Sequence, residues 1–314
     1  MKSKLNIKSS KLLFFGLIIL LLFPFGWISS LVALVIGMLF AIILGNPYQQ
    51  ECGKITKKLL QISIIGIGFG TSAITALELG VASFGLIFGF IVFTLFVGLF
   101  FGRIFNVDTK ISHLITSGTA ICGGSAIAAV SPVIKANDKQ MSVALGTVFV
   151  LSALALFLFP IVGVYFNLSE QQFGIWAAIA IHDTSSVLGA AADYGEQSLE
   201  VATTVKLGRV LFIIPLVFLE AYFFKGSDAK YSFPYFIVLF LVAMLINSVF
   251  PEYTETFSFI KMLSKKGLVI TLFLIGANLS FKNLKSVGIK PFAQGFLLWL
   301  IVSVSSLFTI LYLF

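Results

Sequence analysis

From Phe84 to Gly102 the chain carries no Asp, Glu, Lys or Arg, and apolar runs of this kind recur along its whole length. Such runs constrain the fold more than any single motif. Lipid satisfies no backbone polar groups, so a chain built from them spans a membrane as helices or as a closed barrel. Composition removes the soluble alternative. Of 314 residues 59% are hydrophobic and 11% charged, whereas a soluble globule coats itself with about a quarter charged residues. The two-residue alternation of barrel strands is absent. The expected fold class is an all-α polytopic membrane protein, with residues 1–11 as a cytoplasmic segment and 12–314 as one transmembrane transporter domain.

About eleven spans are expected, near 12–28, 31–45, 58–78, 84–102, 112–133, 141–164, 174–192, 200–222, 234–250, 259–280 and 292–312. Lys2, Lys4, Lys8 and Lys11 before the first run resemble the start of a signal peptide. No small-x-small cleavage site follows, so an uncleaved first helix is expected. Counting Lys and Arg between alternating spans places the N-terminus in the cytoplasm of the cell (inner) membrane. Only Lys135, Lys139, Lys261, Lys265 and Lys266 then fall outside. The net charge of +8 therefore reads as topology, and no basic face for nucleic acid is present. Cys52 and Cys122 offer neither a disulfide pair nor a metal motif.

The segment "KKLLQISIIGIGFGTSAITALELG" (57–80) lies ungapped over "KKGLVITLFLIGANLSFKNLKSVG" (265–288), and the register continues into the next helices, to about 102 and 312. Gly68 meets Gly276, Ser72 meets Ser280 and Gly80 meets Gly288. Seven intervening spans make the second copy inverted, a pattern of alternating-access transporters. A weaker pair, "CGGSAIAAV" (122–130) and "HDTSSVLGA" (182–190), sits two spans apart. Complete spans would make that pair parallel, in conflict with a single inversion axis.

Polar residues interrupt the apolar runs in three places. Gly123 and Gly124 follow Cys122, weaken a helix by about 1 kcal/mol each, and leave Ser125 to start a half-helix. His182, Asp183, Thr184, Ser185 and Ser186 repeat this logic, with ionisable groups expected deep in the membrane. A half-helix start directs N–H groups and a positive dipole end inward, which suits an anion. Close packing through small residues is the competing account of the glycines. Lys206 and Arg209 share a helix face. Arg209 is expected to pair with Asp183 or to hold an oxyanion bidentately; Lys206 and Glu220 are alternatively snorkelling anchors.

Taken together, "TAICGGSAIAAVSPVIKA" (119–136), "AIHDTSSVLGAA" (180–191) and "VKLGRVLFIIPL" (205–216) resemble the YeiH-type family of membrane proteins (UPF0324), over nearly the whole chain. The resemblance implies an architecture similar to cation/proton antiporters and bile-acid symporters, with inverted repeats and crossed broken helices. It also implies sulfate or related sulfur-oxyanion export.

The expected function is secondary active transport of a small oxyanion. Cys122, Gly123, Gly124, Ser125, Thr184, Ser185, Ser186, Lys206 and Arg209 would hold the anion, while His182 and Asp183 would couple it to H⁺ or Na⁺. No cofactor is expected, no GxxxxGK[ST] loop is present, and lipid and a second copy of the chain are the expected neighbours. An intramembrane hydrolase using Ser125 or Ser185 with His182 and Asp183 is the alternative. Adjacent helical residues point about 100° apart, and no GxSxG elbow is present, so an enzyme is not expected.

Overall fold

The computed structural model describes residues 7–22, 30–224, 235–278 and 288–313, and every regular element among them is a helix. Lys2, Lys4, Lys225, Lys230, Ser280, Lys282 and Lys285 lie outside the described residues, as do 23–28 of the first expected span. The chain divides into two compact units, residues 1–73 with 235–280, and residues 74–234 with 281–314.

The first unit contains α1 (Ile7–Leu22), α2 (Ser30–Ile43), α3 (Gln49–Gly68), α12 (Tyr235–Val249) and α13 (Thr254–Asn278). Its helices approach through glycines. A β-carbon at Gly276 of α13 would lie 2.2 Å from the Leu34 carbonyl of α2, and one at Gly68 of α3 would lie 2.7 Å from the Phe240 carbonyl of α12. The ends are tied in the same crossed manner. Asn46, after α2, bonds to Asn278 of α13 at 3.2 Å, and Asn247 of α12 bonds to the Thr71 carbonyl, after α3, at 3.3 Å. Phe14, Phe40 and Phe273 fill the adjoining core. Helix α12 and the segment Pro251–Asn278 meet at a bend of 99°.

The second unit holds α4 (Ala73–Ile104, from Ile74 onward), α5 (Thr109–Ala120), α6 (Gly124–Val133), α7 (Asp138–Tyr165), α8 (Glu170–Ala180), α9 (Thr184–Tyr194), α10 (Glu196–Leu211), α11 (Ile213–Phe224) and α14 (Ile289–Leu313). Four stretches here are long and apolar enough to cross a membrane: Ala76–Ile104, Asp138–Tyr165, Glu196–Phe224 across α10 and α11, and Ile289–Leu313. The local sequence sets the starts of α5, α7 and α8. Asp108 caps α5 by accepting the Ile111 N–H, and Asn137 with Gln140, like Ser169 with Gln172, forms a reciprocal capping box.

The polar segments expected at 112–133 and 174–192 are not straight crossings. Helices α5 and α6 hold 12 and 10 residues, about 18 and 15 Å, so end to end they would separate their outer ends by roughly 30 Å. Instead Lys110 Nζ, near the start of α5, donates to the Lys135 carbonyl beyond α6 at 2.7 Å. Nearer the break a β-carbon at Gly118 would meet the Ile127 side chain at 2.9 Å. The chain turns back on itself as an antiparallel helical hairpin. Helices α8 and α9 do the same. Tyr194 Oη donates to the Leu168 carbonyl at 2.7 Å, and the Phe173 and Tyr194 rings stack at 3.8 Å.

Helix α7 gives the hairpins opposite directions. Gln140 near its start donates to Asp108 at the base of the first hairpin, at 3.0 Å. Gly163 near its end lies under the Phe173 and Tyr194 rings at the base of the second. With 28 residues, about 42 Å, α7 separates the two bases by a membrane's thickness. The hairpins enter from opposite faces and meet at their tips. Two consequences correct the expectations. Lys135 and Lys139 lie on the same face as Lys110, not across from it. And the "CGGSAIAAV" and "HDTSSVLGA" segments enter oppositely, which removes their conflict with an inverted arrangement.

Candidate functional site

Gly123 makes the first tip. Its φ of +68° is left-handed backbone that favours glycine, and its N–H bonds back to the Gly118 carbonyl at 2.8 Å, closing α5. A β-carbon there would stand 3.4 Å from both the His182 carbonyl oxygen and the Asp183 α-carbon. The tips therefore touch, glycine against the His-Asp pair. Ile181, His182 and Asp183 form the second break, with extended backbone at Ile181 and Asp183. Ser152 of α7 fixes it by accepting the Asp183 N–H at 3.1 Å.

Four half-helix ends converge here. The C-terminal ends of α5 and α8 present unpaired carbonyls and about half a negative charge each; the N-terminal ends of α6 and α9 present N–H groups and about half a positive charge each. Arg209 serves both C-terminal ends. Its Nε donates to the Ala120 carbonyl at 2.7 Å, Nη2 to Thr119 at 3.0 Å, and Nη1 to Ala178 at 3.0 Å and to Ile179. Lys206 Nζ donates to the Ile181 carbonyl at 2.8 Å and to Ala178 at 3.2 Å. Both side chains are fully buried. The expected Asp183–Arg209 pair does not form, because the guanidinium fork is taken up by backbone oxygens. For the same reason Arg209 is not an open bidentate ligand, and Lys206 does not snorkel.

Asp183 instead caps α9. Its carboxylate accepts the Ser186 N–H at 3.1 Å, the Ser186 hydroxyl at 3.3 Å and the Ser185 hydroxyl. Thr184 opens α9 and is partly exposed. No side chain caps the Gly123 end of α6; the Cys122 thiol lies beside the Ser125 hydroxyl and the Ala126 backbone. Gly124 is partly exposed and Ser125 exposed. His182 is fully buried, and among the described residues neither ring nitrogen has a hydrogen-bond partner. Asp183 therefore does not orient His182, nor does a serine bond to it, so no Ser-His-Asp relay is assembled here.

One ionisable cluster escaped the sequence reading. His113 Nδ1 of α5 contacts both Glu220 oxygens of α11, at 2.8 and 3.1 Å, and the Ser117 hydroxyl donates to Glu220 at 3.4 Å. Glu220 is 3% exposed, so it is a buried partner and not the anchor expected. The available signal was a histidine and a serine four residues apart, on one face of a helix.

Comparison with known proteins fits these segments. A family described as Conserved hypothetical protein 698 matches residues 10–295. A UPF0324 membrane protein of Bacteroides thetaiotaomicron is 49% identical, covering 90% of this chain and 86% of its own. One of Photobacterium profundum is 48% identical, covering 98% and 93%, and one of Bdellovibrio bacteriovorus is 46% identical, covering 97% and 95%. No solved structure matches. With a family match over most of its length and relatives of nearly equal extent, the chain belongs to the UPF0324 family of membrane proteins.

Proposed function

We propose that the chain is a secondary transporter of a small oxyanion, sulfate or a related sulfur oxyanion, with the site at the meeting hairpin tips in a cell membrane. The observation that carries this reading is the division of labour among the four half-helix ends. Arg209, at +1, offsets the two C-terminal ends at about −0.5 each. Asp183 more than offsets the α9 N-terminus. The α6 N-terminus has no capping carboxylate, and Lys206 adds a further positive charge when protonated. The centre then holds an excess of about one positive charge beside the exposed Ser125 and the Gly124 and Ser125 amides. A small anion supplies the missing charge and the missing acceptors.

Arg209 and Lys206 act through the field they set and through holding the hairpins together; the amides of α6 with the Ser125 hydroxyl make the direct contacts. Of the two coupling candidates, His182 is the freer. Asp183 is occupied as a cap, whereas the His182 ring nitrogens have no hydrogen-bond partner among the described residues, and a proton there would add positive charge beside the same helix ends and strengthen the hold on an anion. Na⁺ coupling would instead draw on the hydroxyls of Thr184, Ser185 and Ser186. The crossed glycine contacts of α2 with α13 and of α3 with α12 support the inverted repeat, and with it alternating access.

Uptake of radiolabelled sulfate, sulfite and thiosulfate into proteoliposomes, with imposed pH or Na⁺ gradients, tests the reading. Wild type is expected to accumulate at least one of them. Ser125→Asp sets a carboxylate where the anion binds, at an exposed position that accommodates it, and is expected to lower uptake by about tenfold or more. No uptake by wild type, or equal uptake by the variant, would contradict the proposal.

A further inference from the structure

The His113–Glu220–Ser117 cluster lies apart from the tips. Seven residues of α5, about 10 Å, separate His113 from Ala120, where Arg209 takes hold. An imidazole and a carboxylate buried in an apolar span are costly unless they satisfy one another. Here they do. Both Glu220 oxygens face His113 Nδ1, Ser117 adds a second donor, and the Phe224 ring lies edge-on to the imidazole with centroids 4.9 Å apart.

The pair joins one arm of the first hairpin to α11. Opposite the tip, α6 carries no ionisable residue. Lys110, one turn below His113, is engaged with the Lys135 carbonyl. The other charged groups on the packed elements are Glu78 and Arg103 of α4, Asp138 and Lys139 of α7, Lys290 of α14, and Glu196, Glu200, Lys206 and Arg209 of α10. The ion-pair partner of each is the other, His113 with Glu220 at 2.8 Å. The carboxylate and imidazole thus answer mainly to each other and to protons.

We propose that His113 and Glu220 form a proton-binding latch on the first hairpin. With the imidazole protonated and the carboxylate charged, the pair fastens α5 to α11 and holds the Gly123 tip against His182 and Asp183. Loss of the imidazole proton leaves a neutral hydrogen bond in place of the charge pair, easing the α5 arm and loosening the tip. The balance is one proton taken up by the imidazole on closing and given back on opening. The meaning of this latch for coupling rests on the transport reading; the latch itself does not.

Amide hydrogen exchange on the full chain in lipid nanodiscs tests it without any substrate, after correction for the intrinsic pH dependence of exchange. On passing from about pH 8 to about pH 5, peptides within 109–133 of wild type are expected to lose exchange by about tenfold or more, while 170–194 change far less. Glu220→Gln is expected to exchange fast in 109–133 at both pH values. The neutral double variant His113→Gln/Glu220→Gln, which keeps a polar pair in place and guards against simple misfolding, is expected to lose the pH response. Wild-type protection that does not rise on acidification, or an unaltered response in the double variant, would overturn the latch. Oxyanion uptake is a separate readout, so a failed transport assay with an intact pH response would count against the proposed function alone.

Discussion

Arg209 shows most directly how one side chain organises this molecule. Three of its nitrogens reach four carbonyls on two different half-helices. Lysine cannot copy this, because a compact ammonium lacks the planar fork. Arg209→Ala leaves those carbonyls unpaired in a buried site and is expected to cost about 3–5 kcal/mol, seen as a fall in Tm of roughly 6–15 °C in a thermal-unfolding assay. Arg209→Lys is expected to rescue only part of this. An Arg209→Ala protein with unchanged Tm but lost anion response would make the guanidinium a direct ligand instead. The sequence put this residue near the middle of an apolar stretch, where it lies within Glu196–Phe224, and misplaced its partner. Reading side chains against side chains led to Asp183, because the carbonyls at a half-helix end have no signature in residue type.

At the scale of elements, the hairpins depend on their tips and bases. Gly123 occupies left-handed backbone and leaves only 3.4 Å for a β-carbon beside the other tip. Gly123→Ala is expected to cost about 1–2 kcal/mol in backbone strain and to raise hydrogen exchange in both tips, 120–126 and 180–186, more than at the bases. At the far end of the second hairpin, Glu170 accepts the Gln197 and Ser198 N–H groups at 2.8 and 3.1 Å, capping α10 from a neighbouring element. Glu170→Ala is expected to cost about 1 kcal/mol by loss of that cap, read in the unfolding midpoint, with uptake unchanged. Unchanged stability in either variant would remove the role given to that contact. The glycine pair and the polar breaks were legible from residue type and spacing. The direction in which the chain leaves each break was not. The 12- and 10-residue halves of the first hairpin total about 33 Å end to end, which matches a hydrocarbon core of about 30 Å. Length and composition therefore fit a broken crossing and a hairpin equally, and only contacts such as Lys110 with Lys135 decide.

For the molecule as a whole, the hairpins change both the charge count and the symmetry. Lys135 and Lys139 return to the face that holds Lys110, and the two polar segments become oppositely directed. The oxyanion reading depends on that arrangement, because only hairpins entering from opposite faces bring two C-terminal ends onto one arginine at mid-depth. Side-specific labelling of single cysteines in oriented vesicles, in a background with both native cysteines replaced by serine, tests this most directly. Thr109→Cys and Lys139→Cys are expected to react with an impermeant maleimide from one face, and Tyr165→Cys and Gln197→Cys from the other. Labelling of Thr109→Cys and Tyr165→Cys from one face and of Lys139→Cys and Gln197→Cys from the other would mean two straight crossings, and would contradict the account.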